Sequence, residues 1–236
     1  MSGSQAPYGR ERDQRDMEKH IYIVVSRTPS KFAKAIRKTM KVEYNHASIA
    51  LDEDLEEIYA FARFQNNIPV AGGLVKENAS RFTLCQEEDV KIKIFKIPVS
   101  EEQYQGVQHI IEEILNDEAY MYNLFSALTY PVLRGFETYK AYTCIEFVMV
   151  MLLQIGLELD KPACSYQPQD LVEMLKDYEH YTGGLLEYRE FEQDPNSEFF
   201  EKTSMCKYMK VSSYVMGLLM FRLAMGIYTN MANLVL

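Results

Sequence analysis

Residues 143–156, TCIEFVMVMLLQIG, are the segment that most constrains how this chain folds. Between the two ends, Glu146 and Gln154 are the only residues that are not apolar. A helix that is apolar on nearly every side must be buried inside a core, and Gly156 is a typical residue to end it. The segment therefore predicts a buried central helix with the other elements packed around it.

The first turn of this helix carries a cysteine. Thr143 is a good N-cap residue, and Glu146 stands three positions later as its capping-box partner, so Cys144 falls where free backbone N–H groups and the helix dipole favour a thiolate. Only the thiolate attacks a carbonyl carbon, which makes Cys144 a candidate nucleophile. The alternative is that Cys144 is a small apolar residue of the core.

The segments around this helix have the patterns of strands and shorter helices. The β-branched or alternating runs predict a buried strand, a hairpin and further strands; they are HIYIVVS (20–26), NHASIALD (45–52) joined to IYAFARF (58–64), GGLVKE (72–77), RFTLCQ (81–86), VKIKIFKIPV (90–99) and YTGGLLEYREF (181–191). Capping signals at Ser30 and Ser100, and Pro168, predict three helices. The aromatic segment 119–142 has no clean period and is expected to be irregular. The predicted class is α+β.

A histidine lies on the first strand of the hairpin. The alternation places His46, Ser48 and Ala50 on one face, so His46 is a candidate general base for Cys144. A structural histidine is the alternative interpretation. Cys85 and Cys206 follow no capping signal and Cys164 lies in a Pro-flanked loop, so all three are expected to be buried or incidental thiols. His20 and His109 are expected in solvated positions and His180 in a surface loop, with a position lining the cleft as the alternative for His180.

Composition excludes several classes of function. The 47% apolar content indicates a folded chain, and the net charge of −9 argues against sequence-independent binding of nucleic acid, because no basic surface is available for the phosphates. The four cysteines form no CxxC pair, so neither a zinc site nor a disulfide framework is expected. The GG pairs lack the context of a phosphate-binding loop, and no cofactor is predicted.

Two motifs carry a family resemblance. The segment NHASIALDEDLEEIYAFAR resembles the histidine hairpin of papain-like hydrolases related to NlpC-type cell-wall peptidases, and TCIEFVMVML resembles their cysteine helix. Histidine before cysteine is the order of the circularly permuted branch, which includes YiiX-like proteins and relatives of lecithin:retinol acyltransferase. GGLVKE, KPACSYQPQDLVEML and GGLLEY resemble a group of Firmicutes proteins in that branch, and the resemblance covers residues 21–188.

The resemblance implies a permuted papain-like fold, in which an antiparallel sheet packs against the buried helix that bears the cysteine. Carried over by position, Cys144 is the nucleophile and His46 the base. The third polar residue is expected about a dozen positions after the histidine, where Tyr59 stands, with Glu57 as a substitute. Tyr59 is alternatively a core aromatic residue, and Ile145 departs from the small polar residue common after the cysteine.

The expected organisation is a disordered tail at 1–19, a papain-like domain at 20–190, a linker at 191–210 and an apolar helix at 211–236. With no apparent leader, the expected location is the cytoplasm. The expected function is hydrolysis of an amide or ester bond in a small-molecule, peptide or lipid-like substrate. The alternatives are a thioester-using acyltransferase near lipid, a non-catalytic binding module, and membrane contact through 211–236, which Arg222 disfavours. The sequence does not predict an oligomeric state.

Overall fold

The computed structural model describes residues 19–86 and 88–235. Its strands are β1 (Lys19–Ser26), β2 (His46–Ala50), β3 (Ile58–Arg63), β4 (Gly72–Lys76), β5 (Lys91–Val99), β6 (Met121–Tyr122), β7 (Ala141–Tyr142) and β8 (Glu179–Gly184). Six of them form one antiparallel sheet in the order β4-β3-β2-β1-β5-β8, and β6 and β7 form a short parallel pair. The predicted α+β class and antiparallel sheet are confirmed.

The described residues also form eight α-helices. They are α1 (Lys31–Met40), α2 (Ala79–Thr83), α3 (Glu101–Leu115), α4 (Leu124–Leu133), α5 (Cys144–Gln154), α6 (Pro168–Met174), α7 (Leu185–Tyr188) and α8 (Met205–Val235). The N-caps predicted from the sequence are present: the Ser30 side chain accepts from the Ala33 N–H at 3.1 Å, and Ser100 and Thr143 each begin a complete capping box. The segment expected to be irregular contains α4 and the pair β6–β7.

The sheet is covered on both faces, which explains the continuous apolar run of β1. Ile21, Ile23 and Val25 contribute to the larger core, in which α3, α5 and α6 pack on one face. Tyr22 and Val24 point to the opposite face, where they contact residues of α2 and the start of α7. All five side chains are at most 5% exposed, so β1 is a central strand.

One predicted strand is wrong over its whole length, and a second is wrong over part of its length. The RFTLCQ segment begins within α2, because the Asn78 side chain caps a helical turn by accepting from the Arg81 N–H at 3.1 Å. The run predicted at 181–191 leaves the sheet at Gly184 and continues as α7. In both places a short apolar–polar alternation fits a strand and a single helical turn equally well, and the tertiary contacts decide between them.

The segment that follows α7 packs on the domain. The Asp194 N–H donates to Ser80 Oγ at 2.7 Å, and the Asn66 N–H donates to the Phe199 carbonyl at 2.8 Å. Helix α8 begins at Met205, within the range predicted as a linker. Residues 1–18 of the predicted tail and residue 236 lie outside the described residues. In the part that is described, no helix combines the length and the apolar character needed to cross a membrane.

Candidate active site

A cavity of about 130 Å³ lies at one end of the sheet, where β1 and β3 end and β2 and β4 begin. Strands β2 and β3 are in register over only two residue pairs, whereas β3 and β4 are in register over five. Strands β2 and β3 therefore separate towards this end of the sheet. The gap lets side chains from both faces reach the same cavity.

Cys144 is the first residue of α5 and lines the cavity. The Thr143 side chain accepts from the Glu146 N–H at 3.1 Å, and Oε2 of the Glu146 carboxyl group accepts from the Thr143 N–H at 3.2 Å. This capping box fixes the direction of the helix, which packs against β2 and β3. The Cys144 side chain is only 7% exposed, and its N–H lies among those at the helix start that have no partner inside the helix.

His46 begins β2 and is held by a buried carboxylate. Its Nε2 lies 2.9 Å and 3.1 Å from the two carboxylate oxygens of Glu77, which directly follows β4. The Ser48 hydroxyl donates to the same carboxylate at 2.6 Å. Cys144 and His46 line the same cavity, and the interaction between the imidazole and the thiol contributes to the pKa values of both groups.

The charges of these three groups stabilise one another. Burial lowers the pKa of His46, but the Glu77 carboxylate and the Cys144 thiolate outweigh burial and raise that pKa to about 10. Burial raises the pKa of the Cys144 thiol, and the His46 imidazolium and the Ala47 N–H together bring it below its ordinary value. Burial also raises the pKa of Glu77, and the charge of His46 brings it below its ordinary value. Each charged form, the Cys144 thiolate, the His46 imidazolium and the Glu77 carboxylate, is therefore stabilised by its neighbours relative to its neutral form.

The structure brings together Cys144 and His46 and does not bring Tyr59 to them. The Tyr59 hydroxyl donates to Glu57, which also pairs with Lys76, and the Tyr59 ring lies in the core. The carboxylate at the imidazole belongs to Glu77. The residue beside the imidazole therefore directly follows β4, one strand further along the sheet than the expected Tyr59 or Glu57.

The position of Glu77 follows from the strand register. Ala50 is opposite Ile58 and Ala60 is opposite Val75, so Ser48, Ala60 and Glu77 share one face of the sheet. The small side chain of Ala60 lies between β2 and β4 on that face. In the sequence, Glu77 is the last residue of GGLVKE, a segment that was predicted only to be a strand. Its position at the end of that strand is the signal that could have identified it.

Gly72 and Gly73 allow β6, which forms part of the cavity wall, to lie close against β4. A Cβ on Gly72 would lie 2.4 Å from the Ala62 carbonyl oxygen and 3.0 Å from the Tyr122 Cβ, and one on Gly73 would lie 2.8 Å from the Phe64 ring. The GG pair thus permits β6 to lie close against β4. This contact places Tyr122 at the cavity wall. Burial is the main cause that raises the pKa of the Tyr122 hydroxyl, and the charge of Cys144 raises it further.

The other cysteines and histidines lie away from this arrangement. Burial raises the pKa of the Cys164 thiol, and Cys206 is exposed on α8. His180 lies on β8 with its Nε2 3.4 Å from Glu53, and His109 is exposed on α3. Among the described side chains, only Cys144 has both a histidine neighbour and a pKa lowered from that of a free thiol.

Comparisons with protein-family models, curated proteins and solved structures found no match to this chain.

Proposed function

We propose that this chain is a cysteine-dependent hydrolase that cleaves an amide or ester bond through an acyl-enzyme on Cys144. The observation that supports this most strongly is the Cys144–His46–Glu77 arrangement at the cavity, with Nε2 of His46 at 2.9 Å from Glu77. A nucleophile, a base and a group that orients the base are the three parts that acyl transfer by a cysteine requires.

In the first half of the reaction, the Cys144 thiolate attacks the carbonyl carbon and forms a C–S bond, while the C=O electron pair moves to the oxygen. The oxyanion accepts a hydrogen bond from the Cys144 N–H at the start of α5, and the Tyr122 hydroxyl on the cavity wall is a second donor. Collapse breaks the C–N or C–O bond, and the leaving group takes its proton from the His46 imidazolium.

In the second half, neutral His46 takes a proton from water, and the hydroxide attacks the thioester carbonyl. The C–S bond breaks, the carboxylic acid product leaves, and the thiolate–imidazolium pair forms again. Glu77 holds the imidazole ring and stabilises its charge in both halves, because its two oxygens remain at hydrogen-bond distance from Nε2.

We also propose that the fold is of the permuted papain-like type. The histidine strand precedes the cysteine helix in the chain, and the helix packs its apolar side against the strand that carries the histidine. The carboxylate of Glu77 is a stronger partner for an imidazolium than the tyrosine expected at the third position. The proposed substrates are small-molecule, peptide or lipid-like amides and esters, and the proposed location is the cytoplasm.

The first test measures the rates at which iodoacetamide alkylates the individual cysteines at pH 6.5, by peptide mass spectrometry. An ordinary thiol is almost fully protonated at this pH, so exposed Cys206 is the internal control. We expect Cys144 to react at least about tenfold faster than Cys206, although Cys144 is only 7% exposed. Equal rates, or a faster Cys206, would contradict the proposal.

The second test uses p-nitrophenyl acetate as the acyl donor. We expect an acetyl group on Cys144 in rapidly quenched samples, together with steady release of p-nitrophenol that Cys144→Ser and His46→Ala abolish. Cys164→Ser is the matched control for a buried thiol whose pKa is raised, and it should keep the wild-type rate. An equal rate in Cys144→Ser would refute the acyl-enzyme.

A further inference from the structure

Two arginines lie on the wall of the same cavity as Cys144. Arg63 is the last residue of β3, and Arg81 lies on α2. An Arg81 Nη donates to the Arg63 carbonyl, so the two residues are neighbours. The cavity therefore holds two guanidinium groups close to a nucleophile.

Within the described residues, neither guanidinium forms an ion pair. Neither guanidinium has a carboxylate oxygen within 4.0 Å in that part of the chain, and Glu77 makes its short contacts with His46 and Ser48. The Arg81 Nε is buried without a hydrogen-bond partner. Burial lowers the pKa of both guanidinium groups. For Arg81, the Glu77 charge raises the pKa in part and the charge of Arg63 lowers it. Placing two like charges in a partly buried cavity is unfavourable unless an anion joins them.

Both side chains are held in position. The Arg81 guanidinium lies over the Phe199 ring at 4.2 Å, and an Arg63 Nη donates to the Asn66 carbonyl at 2.9 Å. Phe199 is itself fixed, because its carbonyl accepts from the Asn66 N–H at 2.8 Å. Contacts to carbonyl oxygens and to a ring leave the positive charge available. The planar guanidinium fork fits the two oxygens of a carboxylate.

We propose that Arg63 and Arg81 bind a carboxylate of the substrate, so that the bond attacked by Cys144 belongs to an amide or ester that also carries a negative charge. This assignment rests on the proposed hydrolase function. It places the anionic group on the side of the cavity formed by β3, α2 and the segment that carries Phe199. The substrate class is then an acidic amide or ester, such as a peptide with a free carboxylate near the cleaved bond.

The test uses matched alkylating probes that differ only at one end. N-Chloroacetyl derivatives of glycine, β-alanine and γ-aminobutyrate carry the carboxylate at three distances from the reactive carbon, and the corresponding amides are their neutral partners. The readout is the carboxylate-to-amide ratio of the second-order rates of Cys144 alkylation. For at least one length, we expect the wild-type ratio to exceed that of a free thiol by about tenfold, equivalent to about 1.4 kcal/mol.

The variants identify the source of this preference. Arg63→Gln and Arg81→Gln should each return the ratio towards that of a free thiol, and Arg63→Lys and Arg81→Lys should retain part of it. Arg189→Gln is the matched control, because it removes an equal charge that pairs with Asp54 and Glu56 outside the cavity. The ratio compares two probes on the same protein sample, so errors in protein concentration cancel. Because unfolded protein reacts with the ratio of a free thiol, circular dichroism confirms that each variant is folded.

The outcomes separate this inference from the proposed function. Rapid alkylation of Cys144 with no carboxylate preference, or a preference unchanged in both glutamine variants, would overturn the assignment and leave the hydrolase proposal standing. Slow alkylation of Cys144 by every probe would contradict the hydrolase proposal itself. A matching phosphonate probe that reacts faster than each carboxylate would overturn the choice of carboxylate as the bound group.

Discussion

Replacing Glu77 with Gln tests whether this carboxylate controls the reactivity of Cys144. Glutamine preserves the shape and one acceptor oxygen, while it removes the charge that lies 2.9 Å from Nε2 of His46. His46 is buried, and burial opposes its protonation, so the Glu77 charge is a main reason that it stays protonated. Without that charge, the pKa of His46 should fall. The Glu77 charge directly raises the pKa of the Cys144 thiol, but the His46 imidazolium lowers it by more, so weaker protonation of His46 should raise the pKa of the thiol overall.

The magnitude follows from the type of contact. A hydrogen bond to a charged group contributes about 1.5–3 kcal/mol. One pKa unit corresponds to about 1.36 kcal/mol, so the pKa of His46 should fall by about one to two units. The same contact stabilises the thiolate–imidazolium pair over the neutral thiol–imidazole pair, so the ratio of the ionic to the neutral pair should fall by about ten- to hundredfold. We expect Cys144 alkylation at pH 6 to slow by about ten- to hundredfold.

The assay is the pH dependence of Cys144 alkylation by iodoacetamide between pH 4 and pH 10. In Glu77→Gln, the reactive plateau of the wild-type protein should shift to higher pH. Glu57→Gln is the matched control, because it removes the carboxylate that accepts from Tyr59 on the neighbouring strand. A Glu77→Gln profile that coincides with wild type in a folded variant would refute the role of Glu77. An equal shift in Glu57→Gln would show that the Tyr59–Glu57 pair, and not Glu77 alone, influences the reactivity of Cys144.

Three further substitutions test the surroundings of the site. Burial raises the pKa of Glu146 to about 8 from 4.5, so the native state holds a proton that the unfolded state releases, and stability should fall by about 1.4 kcal/mol per pH unit across that window. Glu146→Gln keeps the capping box and cannot titrate. The thermal midpoint of the variant minus that of wild type should therefore increase from pH 5 to pH 8, and a constant difference would contradict the buried proton. Ser48→Ala removes the 2.6 Å hydrogen bond that lowers the pKa of Glu77. The pH below which Cys144 alkylation slows should therefore rise by about one unit, and an unchanged pH would contradict this. Gly72→Ala places a Cβ at 2.4 Å from the Ala62 carbonyl oxygen, and the free energy of unfolding in urea should fall by about 1–3 kcal/mol; an unchanged value would show that β3 and β4 separate without cost.

Local signals in the sequence determined much of the framework. The apolar segment 144–154 has no face suited to solvent, which requires burial, and the Thr143–Glu146 capping box sets the residue at which α5 begins. Both depend on residues within a few positions of each other, so they are readable without tertiary contacts. The α+β class and the β2–β3 hairpin follow from the same kind of local periodicity.

Tertiary structure alone decided which groups meet at the cavity. Glu77 reaches His46 across β3 because the register places both on one face and Ala60 leaves room between them. The two residues are 31 positions apart in the sequence, and no local pattern predicts their contact. The two-pair register of β2 and β3 opens the sheet, so Cys144 from one face meets His46 from the other. Strand pairing and side-chain volume are properties of the assembled sheet. The sequence by itself therefore determined the helix that begins at Cys144 and the strand that begins at His46, and only the assembled sheet brought Glu77 to His46.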